Sequence, residues 1–450
     1  MVQHASDYAV PESNRRHPTR RDFLKASTVA AAGAAGLARV SLARTAHAAG
    51  SDIIKIGMVG CGSRCPGAAV NAMNVDKGVR LVAMTDIFAD RVKNRREWLR
   101  KAKPAQVAVH DDHCFSGLEG YKHVLECVDV VLIACAAKYH PVYLQAAVEA
   151  GKHVFVEKPH AIDPPGVRQV TAACELAKKK RLSVMSGLHS RHHPGYRETV
   201  KRVHDGAIGE IVAVEENFLR GPYGLYYRQP KQTEVEYQFS NQYHFAWLCG
   251  DDVAQSLVHN VDRATWVMHE QPPVKAHGMG GRSASFGEVY GNVFDHHGVV
   301  YQYANGVRMY AFCRTENGCY NDSDSILLGS KGRCNLTHCI IEGATKWRYH
   351  PHKGANENPY DLEHAALFSA IRSGNPINCG DYMARSTLVA ILGQLTCYDG
   401  RELTWEQVAK SDFVFTPRVE DVRLDTEPPV RPDAKGWYPV PMPGMQPLKI

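Results

Sequence analysis

The sequence predicts an α/β protein in which a doubly wound parallel sheet is followed by a second domain that also contains a sheet. Three observations carry this. Short apolar runs alternate with helical patterns over residues 53–159, a Gly-x-Gly turn follows the first run, and an Asn-Gly hairpin signal lies near residue 305. The first run, 53–59, reads as a buried strand and leads into Gly60-Cys61-Gly62 and a helical stretch to Asn74. A second strand, 79–85, ends in Asp86, 24 residues after Gly62. Further strands are expected at 128–134 and 152–156, separated by helices near 121–126 and after the turn 137–141. In such a sheet ligands lie beyond the C-terminal ends of the strands.

At 450 residues the chain is long enough for two to three domains, and its 22% charged and 44% hydrophobic residues are the balance of a globular protein. The formal charge of +6 is concentrated at the N-terminus. Seven of the 53 basic and three of the 47 acidic residues fall in 1–48, which leaves the remainder at +2, too near neutral to argue for nucleic acid. No apolar run reaches the ~18 residues of a membrane span. The thirteen cysteines all follow residue 48 and include no CxxC pair; reduced thiols are expected rather than a disulfide framework. The histidine pairs His192-His193 and His296-His297 come without HExxH spacing, and no metal site is expected.

Thr19-Arg20-Arg21-Asp22-Phe23-Leu24-Lys25 matches the twin-arginine export pattern at each defined place. An Ala/Gly-rich apolar run follows, and Ala46-His47-Ala48 supplies small residues for signal-peptide cleavage after Ala48. Export to the periplasm, with the twin-arginine translocase as partner, is the expectation.

In the Gly60-Cys61-Gly62 turn, a tight bend and a bare backbone would let a pyrophosphate approach the amides of a helix N-terminus. The third glycine of the usual dinucleotide fingerprint is replaced by Cys65. Asp86 is placed to bond ribose hydroxyls and to repel a 2′-phosphate, so NAD is expected rather than NADP.

With Glu157-Lys158-Pro159 after a strand, residues 54–159 resemble the N-terminal domain of the glucose–fructose oxidoreductase/inositol dehydrogenase (Gfo/Idh/MocA) family. The resemblance continues through His189-Ser190-Arg191-His192-His193-Pro194 and Val258-His259-Asn260-Val261-Asp262. It implies a Rossmann domain followed by an open-faced mixed or antiparallel α/β domain, with boundaries at 1–48 (signal), 49–190 (cofactor), 191–426 (substrate and oligomer contacts) and 427–450 (a Pro-rich arm). It also implies NAD(P) and oxidoreduction of a sugar or polyol. Cofactor contacts are then expected from Gly60, Cys61, Gly62, Ser63, Arg64 and Asp86, together with His140, Glu157, Lys158 and His189. Substrate contacts are expected from Arg191, Tyr243, His244 and Asp262, and a homo-oligomer through the second domain.

Lys158 inherits the family's lysine, which contacts substrate and cofactor; an ammonium there can polarise a carbonyl or share an alcohol proton. An ion pair with Glu157 is disfavoured, because adjacent strand residues point to opposite faces. The family's later motif places an Asp and a His beside the reacting carbon. Here His259 stands in the histidine place, titrating near neutrality, and Gln255 replaces the aspartate one helical turn earlier. Gln255 cannot take a proton, so a His–Asp relay is not available.

The second domain is expected to hold a sheet from 211–218, a hairpin around Ala304-Asn305-Gly306, strands at 326–328 and 334–336, and helices at 360–373 and 384–398. Residues 220–228 and 237–247 read as polar, aromatic loops suited either to sugar rings or to packing. An exported NAD enzyme meets no free cofactor pool, so a closed cycle is required. Coupled oxidation and reduction of two substrates, epimerisation, or a glycosidase using transient C3 oxidation would each provide one. A non-catalytic sugar-binding protein is the alternative from another class.

Overall fold

The computed structural model describes residues 52–450, and the twin-arginine segment lies outside them. Residues 54–450 form one compact unit. Its first part is a six-stranded parallel sheet of β1 (Ile54–Val59), β2 (Val79–Asp86), β3 (Cys114–Ser116), β4 (Val130–Ile133), β5 (His153–Val156) and β6 (Val184–Ser186). Their order is β3-β2-β1-β4-β5-β6, the doubly wound order that reverses between β1 and β4 and leaves a crevice there. Helices cover both faces, so the central strand is apolar along its whole length: Val130, Val131, Leu132 and Ile133 of β4 are all fully buried.

The second part is a nine-stranded mixed sheet. Its strands are β7 (Ile211–Arg220), β8 (Lys275–Gly281), β9 (His296–Gln302), β10 (Arg308–Thr315), β11 (Ser325–Gly329), β12 (Gly332–Asn335), β13 (Ile340–Gly343), β14 (Trp347–Arg348) and β15 (Leu403–Thr404). They run in the order β14-β13-β12-β11-β7-β10-β9-β8-β15. β9 and β10 form the hairpin that Asn305-Gly306 predicts, with Met309 opposite Tyr301. Along β9 and β10 buried and exposed residues alternate, the inner face packing on the helix Gly380–Asp399. The outer face carries Met279 and Phe312 on either side of Gly298, 75% and 40% exposed, and is open.

Two expectations need correction. Residues 237–247 are not loop. The helix Glu234–Ser240 begins at a capping box in which Thr233 and Glu236 satisfy each other's backbone amides, and the short helix Ala246–Cys249 follows. Residues 253–257 do not form an ordinary helical turn either: Val253–Leu257 is a π-helix that runs into the α-helix Val258–Val267. Pro194 opens the helix Pro194–His204, with the His193 side chain accepting from the Tyr196 amide. The last residues, 427–450, contain no helix or strand and lie against the body, with Tyr438 donating to Glu234 Oε1 at 2.5 Å.

Two buried histidines give the fold a defined acid sensitivity. His160 is held between Thr387 Oγ1 at 3.0 Å and Ser186 Oγ at 2.9 Å, and His364 Nδ1 lies 2.8 Å from Tyr360 O. Burial pulls both imidazoles down to about 3. The unfolded chain protonates them near ~6.5, so below that pH it binds more protons than the folded state. Stability is therefore full above ~6.5 and falls with pH toward about 3, by roughly 1.4 kcal/mol per pH unit for each histidine. The urea midpoint is expected to drop clearly between about pH 7 and about pH 5. A flat midpoint would show that these rings are not held neutral.

Candidate active site

The crevice begins where β1 ends. Gly60 turns the chain at φ +103°, and a Cβ there would meet Ala134 O at 2.6 Å, so only glycine fits. At Gly62 a Cβ would meet nothing within 4 Å: its bare backbone faces the open crevice. The helix Arg64–Val75 starts next, with no side-chain cap at Ser63 and no acidic residue in its first turn. Uncapped amides at a helix start, beside a glycine with open space, form an anion cradle that fits a pyrophosphate. Cys65 does what the missing third glycine would do. It is fully buried and donates its thiol to Leu132 O on β4 at 3.4 Å, seating the helix on the sheet.

Asp86, at the end of β2, lines the same crevice. Its Oδ2 accepts from the Cys61 amide at 2.6 Å and its Oδ1 from the Phe88 amide at 3.1 Å, which fixes the carboxylate at the edge of the turn. Cys61 itself is buried; its thiol donates to Thr85 O at 3.5 Å and its carbonyl accepts from Arg95 Nε at 3.3 Å. From here the crevice passes Ala134, Cys135 and Gln242 into a cavity of about 580 Å³.

Lys158 projects into that cavity from the end of β5, next to a cis Lys158–Pro159 peptide. Its Nζ donates to the main-chain oxygen of Gln255 at 2.6 Å. That carbonyl belongs to the π-helix Val253–Leu257, the kind of irregular turn found often at functional sites. Glu157 turns the other way and pairs with Arg64; Arg64 also donates Nη2 to buried Glu363 Oε1 at 3.2 Å and stacks over Tyr360 at 4.8 Å. His140 lines the wall with both ring nitrogens facing main-chain carbonyls, Pro159 O at 2.7 Å and Cys135 O at 3.2 Å.

The site thus gathers Ser63, Arg64, His140, Glu157, Lys158, His189, Tyr243, Gln255 and His259 around one cavity. His259 and His189 face each other at 5.0 Å, each with a buried Nδ1 that has no partner. Burial, then the Lys158 charge, holds the His259 imidazole well below its ordinary range. The expectation that it titrates near neutrality is corrected: the ring is neutral there. His189 is likewise pushed down to about 3 by burial.

Three expected substrate contacts lie elsewhere. Arg191 donates to Asp262 Oδ1 at 2.8 Å and to Glu270 Oε1 at 2.5 Å, and Asp262 also accepts from Ser386 Oγ at 2.8 Å. The two form a buried ion pair between elements and do not line the cavity. His244 is buried edge-on against Tyr290, outside the lining. Residues that the motifs did not indicate take their place. Tyr223 stacks on Tyr243 at 4.5 Å, and its hydroxyl meets Ser256 Oγ at 3.0 Å. Arg263, Tyr196 and Tyr360 complete the wall. Away from the cavity, Asp295, His296 and Glu316 cluster, but Asp295 Oδ2 already accepts three backbone amides, from Ser283, Ala284 and Ser285, each at 2.9 Å.

Fold and crevice together define a dinucleotide-binding α/β protein of the Rossmann type. Residues 54–188 match the model of the oxidoreductase family with an NAD-binding Rossmann fold (Gfo/Idh/MocA). Residues 17–38 match the twin-arginine translocation signal sequence, which directs export. Over 194 residues the chain is 28% identical to a dTDP-3,4-didehydro-2,6-dideoxy-alpha-D-glucose 3-reductase of Actinomadura kijaniata, covering 42% of this chain and 51% of that protein. A glycosyl hydrolase family 109 protein of Phocaeicola vulgatus is 26% identical over 225 residues, 48% of this chain and 42% of its own length. These alignments span about half the length of the relatives or less. In fold, an aldose-aldose oxidoreductase from Caulobacter crescentus, complexed with glycerol, aligns with a TM-score of 0.61 at 19% identity, over 78% of this chain and 99% of its own.

Proposed function

We propose that this exported protein is an oxidoreductase of a sugar or polyol that keeps its NAD bound and recycles it within one catalytic cycle. The observation that carries the reading is the continuous crevice from the Gly60–Gly62 cradle and Asp86 to a cavity of about 580 Å³ at the Lys158 ammonium. The twin-arginine route moves folded proteins, so a cofactor seated before export can travel with the chain. Asp86 supports NAD over NADP, because its fixed carboxylate repels a 2′-phosphate. Arg91, at the same end, is turned to Ser240 O at 3.3 Å and to the Phe88 ring at 4.6 Å.

When bound, the nicotinamide supplies hydride exchange with a carbon of the substrate. The chain's own residues manage the oxygen. Lys158 is steadied by a neutral carbonyl and keeps its charge for the reacting oxygen. His259, neutral and opening on the cavity, accepts the hydroxyl proton as the alcohol becomes a carbonyl and returns it on reduction. Gln255 presents its side-chain amide and orients the substrate without taking a proton. The stacked Tyr223–Tyr243 pair offers a face to the C–H side of a sugar ring.

The resemblance to a glycosyl hydrolase family 109 protein favours a second reading, glycoside cleavage through transient oxidation, which uses the same residues. Absorbance of the bound nicotinamide, followed by stopped flow across a panel of sugars and glycosides, tests both. A rise at the reduced-nicotinamide band supports the oxidoreductase, and sugar release with a returning band supports the cleavage. A cofactor silent to every ligand would remove them together. The open sheet face with Met279 and Phe312 supports a homo-oligomer through the second sheet, and a monomeric mass in solution would remove that part.

A further inference from the structure

The wall of the cavity formed with Ser323 and Thr337 carries a cation without an anion. Arg263 projects from the helix Val258–Val267 four residues after His259, on the same face. It is only 7% exposed. Its Nε donates to Ser325 Oγ at 2.7 Å and its Nη2 to Ser323 O at 3.4 Å, both neutral acceptors. Among the described residues Nη1 has no acceptor and no carboxylate reaches ion-pair distance. A buried guanidinium is ordinarily matched by a carboxylate, because an isolated charge out of water is strongly unfavourable.

The nearest acid does not supply the match. Glu216 is reached only through Ser325, whose Oγ donates to Glu216 Oε2 at 2.5 Å. Burial pushes the Glu216 carboxyl up to about 8, against the lowering pull of the Arg263 charge. Its Oε1 is a buried acceptor with no donor. Lys158, another cation facing this space, also holds a neutral carbonyl. The carboxylate in the lining, Glu157, is already paired with Arg64. Arg263 and Lys158 therefore face the cavity with no carboxylate at ion-pair distance from either among the described residues.

We propose that Arg263 is a specificity-determining residue that binds a carboxylate on the substrate, so that the substrate class is sugar acids, uronates or aldonates, rather than neutral sugars. This rests on the reading that the cavity takes a sugar. A planar guanidinium matches a planar carboxylate better than it matches a hydroxyl, and the charge-assisted bonds gain from the dry surroundings.

Calorimetry on the purified holoprotein with glucuronate, galacturonate and gluconate, against glucose, galactose and glucose 6-phosphate, tests it. The acids are expected to bind ~10–100-fold more tightly than the neutral sugars, the scale of hydrogen bonds to a charged group. In Arg263→Gln that ratio is expected to fall to near one, and Arg263→Lys, which keeps the charge, should retain part of it. Equal binding of glucuronate and glucose by the wild type overturns the proposal, whether or not the variants fold. Tighter binding of glucose 6-phosphate than of any sugar acid overturns the carboxylate assignment. Acid-selective binding with a silent nicotinamide leaves Arg263 standing and removes the oxidoreductase reading. Neutral sugars that reduce the cofactor, with no preference for acids, do the reverse.

Discussion

Lys158→Met is expected to lower turnover at least ~100-fold while NAD stays bound, the usual scale for a lost acid/base or electrostatic partner. The side chains are of similar length, so the cavity keeps its shape and loses only the charge and its donors. Gly60 and Gly62 line the crevice beside Asp86, whereas Lys158 lines the adjoining cavity. The one bond broken inside the protein is to Gln255 O, so a modest fall in thermal midpoint is expected as that carbonyl loses its donor. Single-turnover absorbance of the bound nicotinamide separates chemistry from substrate affinity, and the loss should fall on the rate constant. Turnover within a few-fold of wild type would show that the ammonium is a structural tether to the π-turn and no part of the chemistry.

The first sheet was legible because its strands are buried on both faces and so read as unbroken apolar runs, as in Val130–Ile133. The hairpin was legible for a local reason: Asn305-Gly306 suits a tight turn, with Gly306 at φ +86°. The helices over 234–249 were missed because their tyrosine, phenylalanine and tryptophan side chains, together with short lengths, hide any 3.6-residue period. The signal that would have found the first of them is Thr233 three places before Glu236. At the site, Lys158, Gln255 and His259 were readable from motifs. Arg191 and Asp262 were misplaced because a motif shows which residues belong together and not which side of an element faces the cavity; here they satisfy each other. Tyr360 and Arg263 had no local signature. Tyr360 returns to the fingerprint helix from nearly 300 positions away, to lie under the Arg64 guanidinium, and only the tertiary fold brings it there.

Gly62→Val is expected to empty the protein of NAD without unfolding it, and Gly60→Ala to do the opposite kind of damage. The two glycines are two residues apart but are required for different reasons. At Gly60 the backbone sits at φ +103° and a Cβ would press on Ala134 O at 2.6 Å, so even alanine must distort the junction of β1 and β4. A cost on the order of 2 kcal/mol or more is expected, read as a lower thermal midpoint in cofactor-stripped protein. At Gly62 a Cβ meets no protein atom within 4 Å, so the stripped Gly62→Val protein should melt within a few degrees of wild type, as for other substitutions that meet no strain. The isopropyl group instead fills the space a pyrophosphate needs beside the uncapped amides of the helix Arg64–Val75. Wild type from the exported fraction should carry close to one equivalent of NAD, measured by mass and absorbance after denaturation, and Gly62→Val close to none. Stripping matters to the comparison, because bound cofactor itself raises the midpoint of the wild type. A Gly62→Val protein that still carries a full equivalent would place the cofactor somewhere other than this crevice, and with it the hydride exchange proposed beside Lys158.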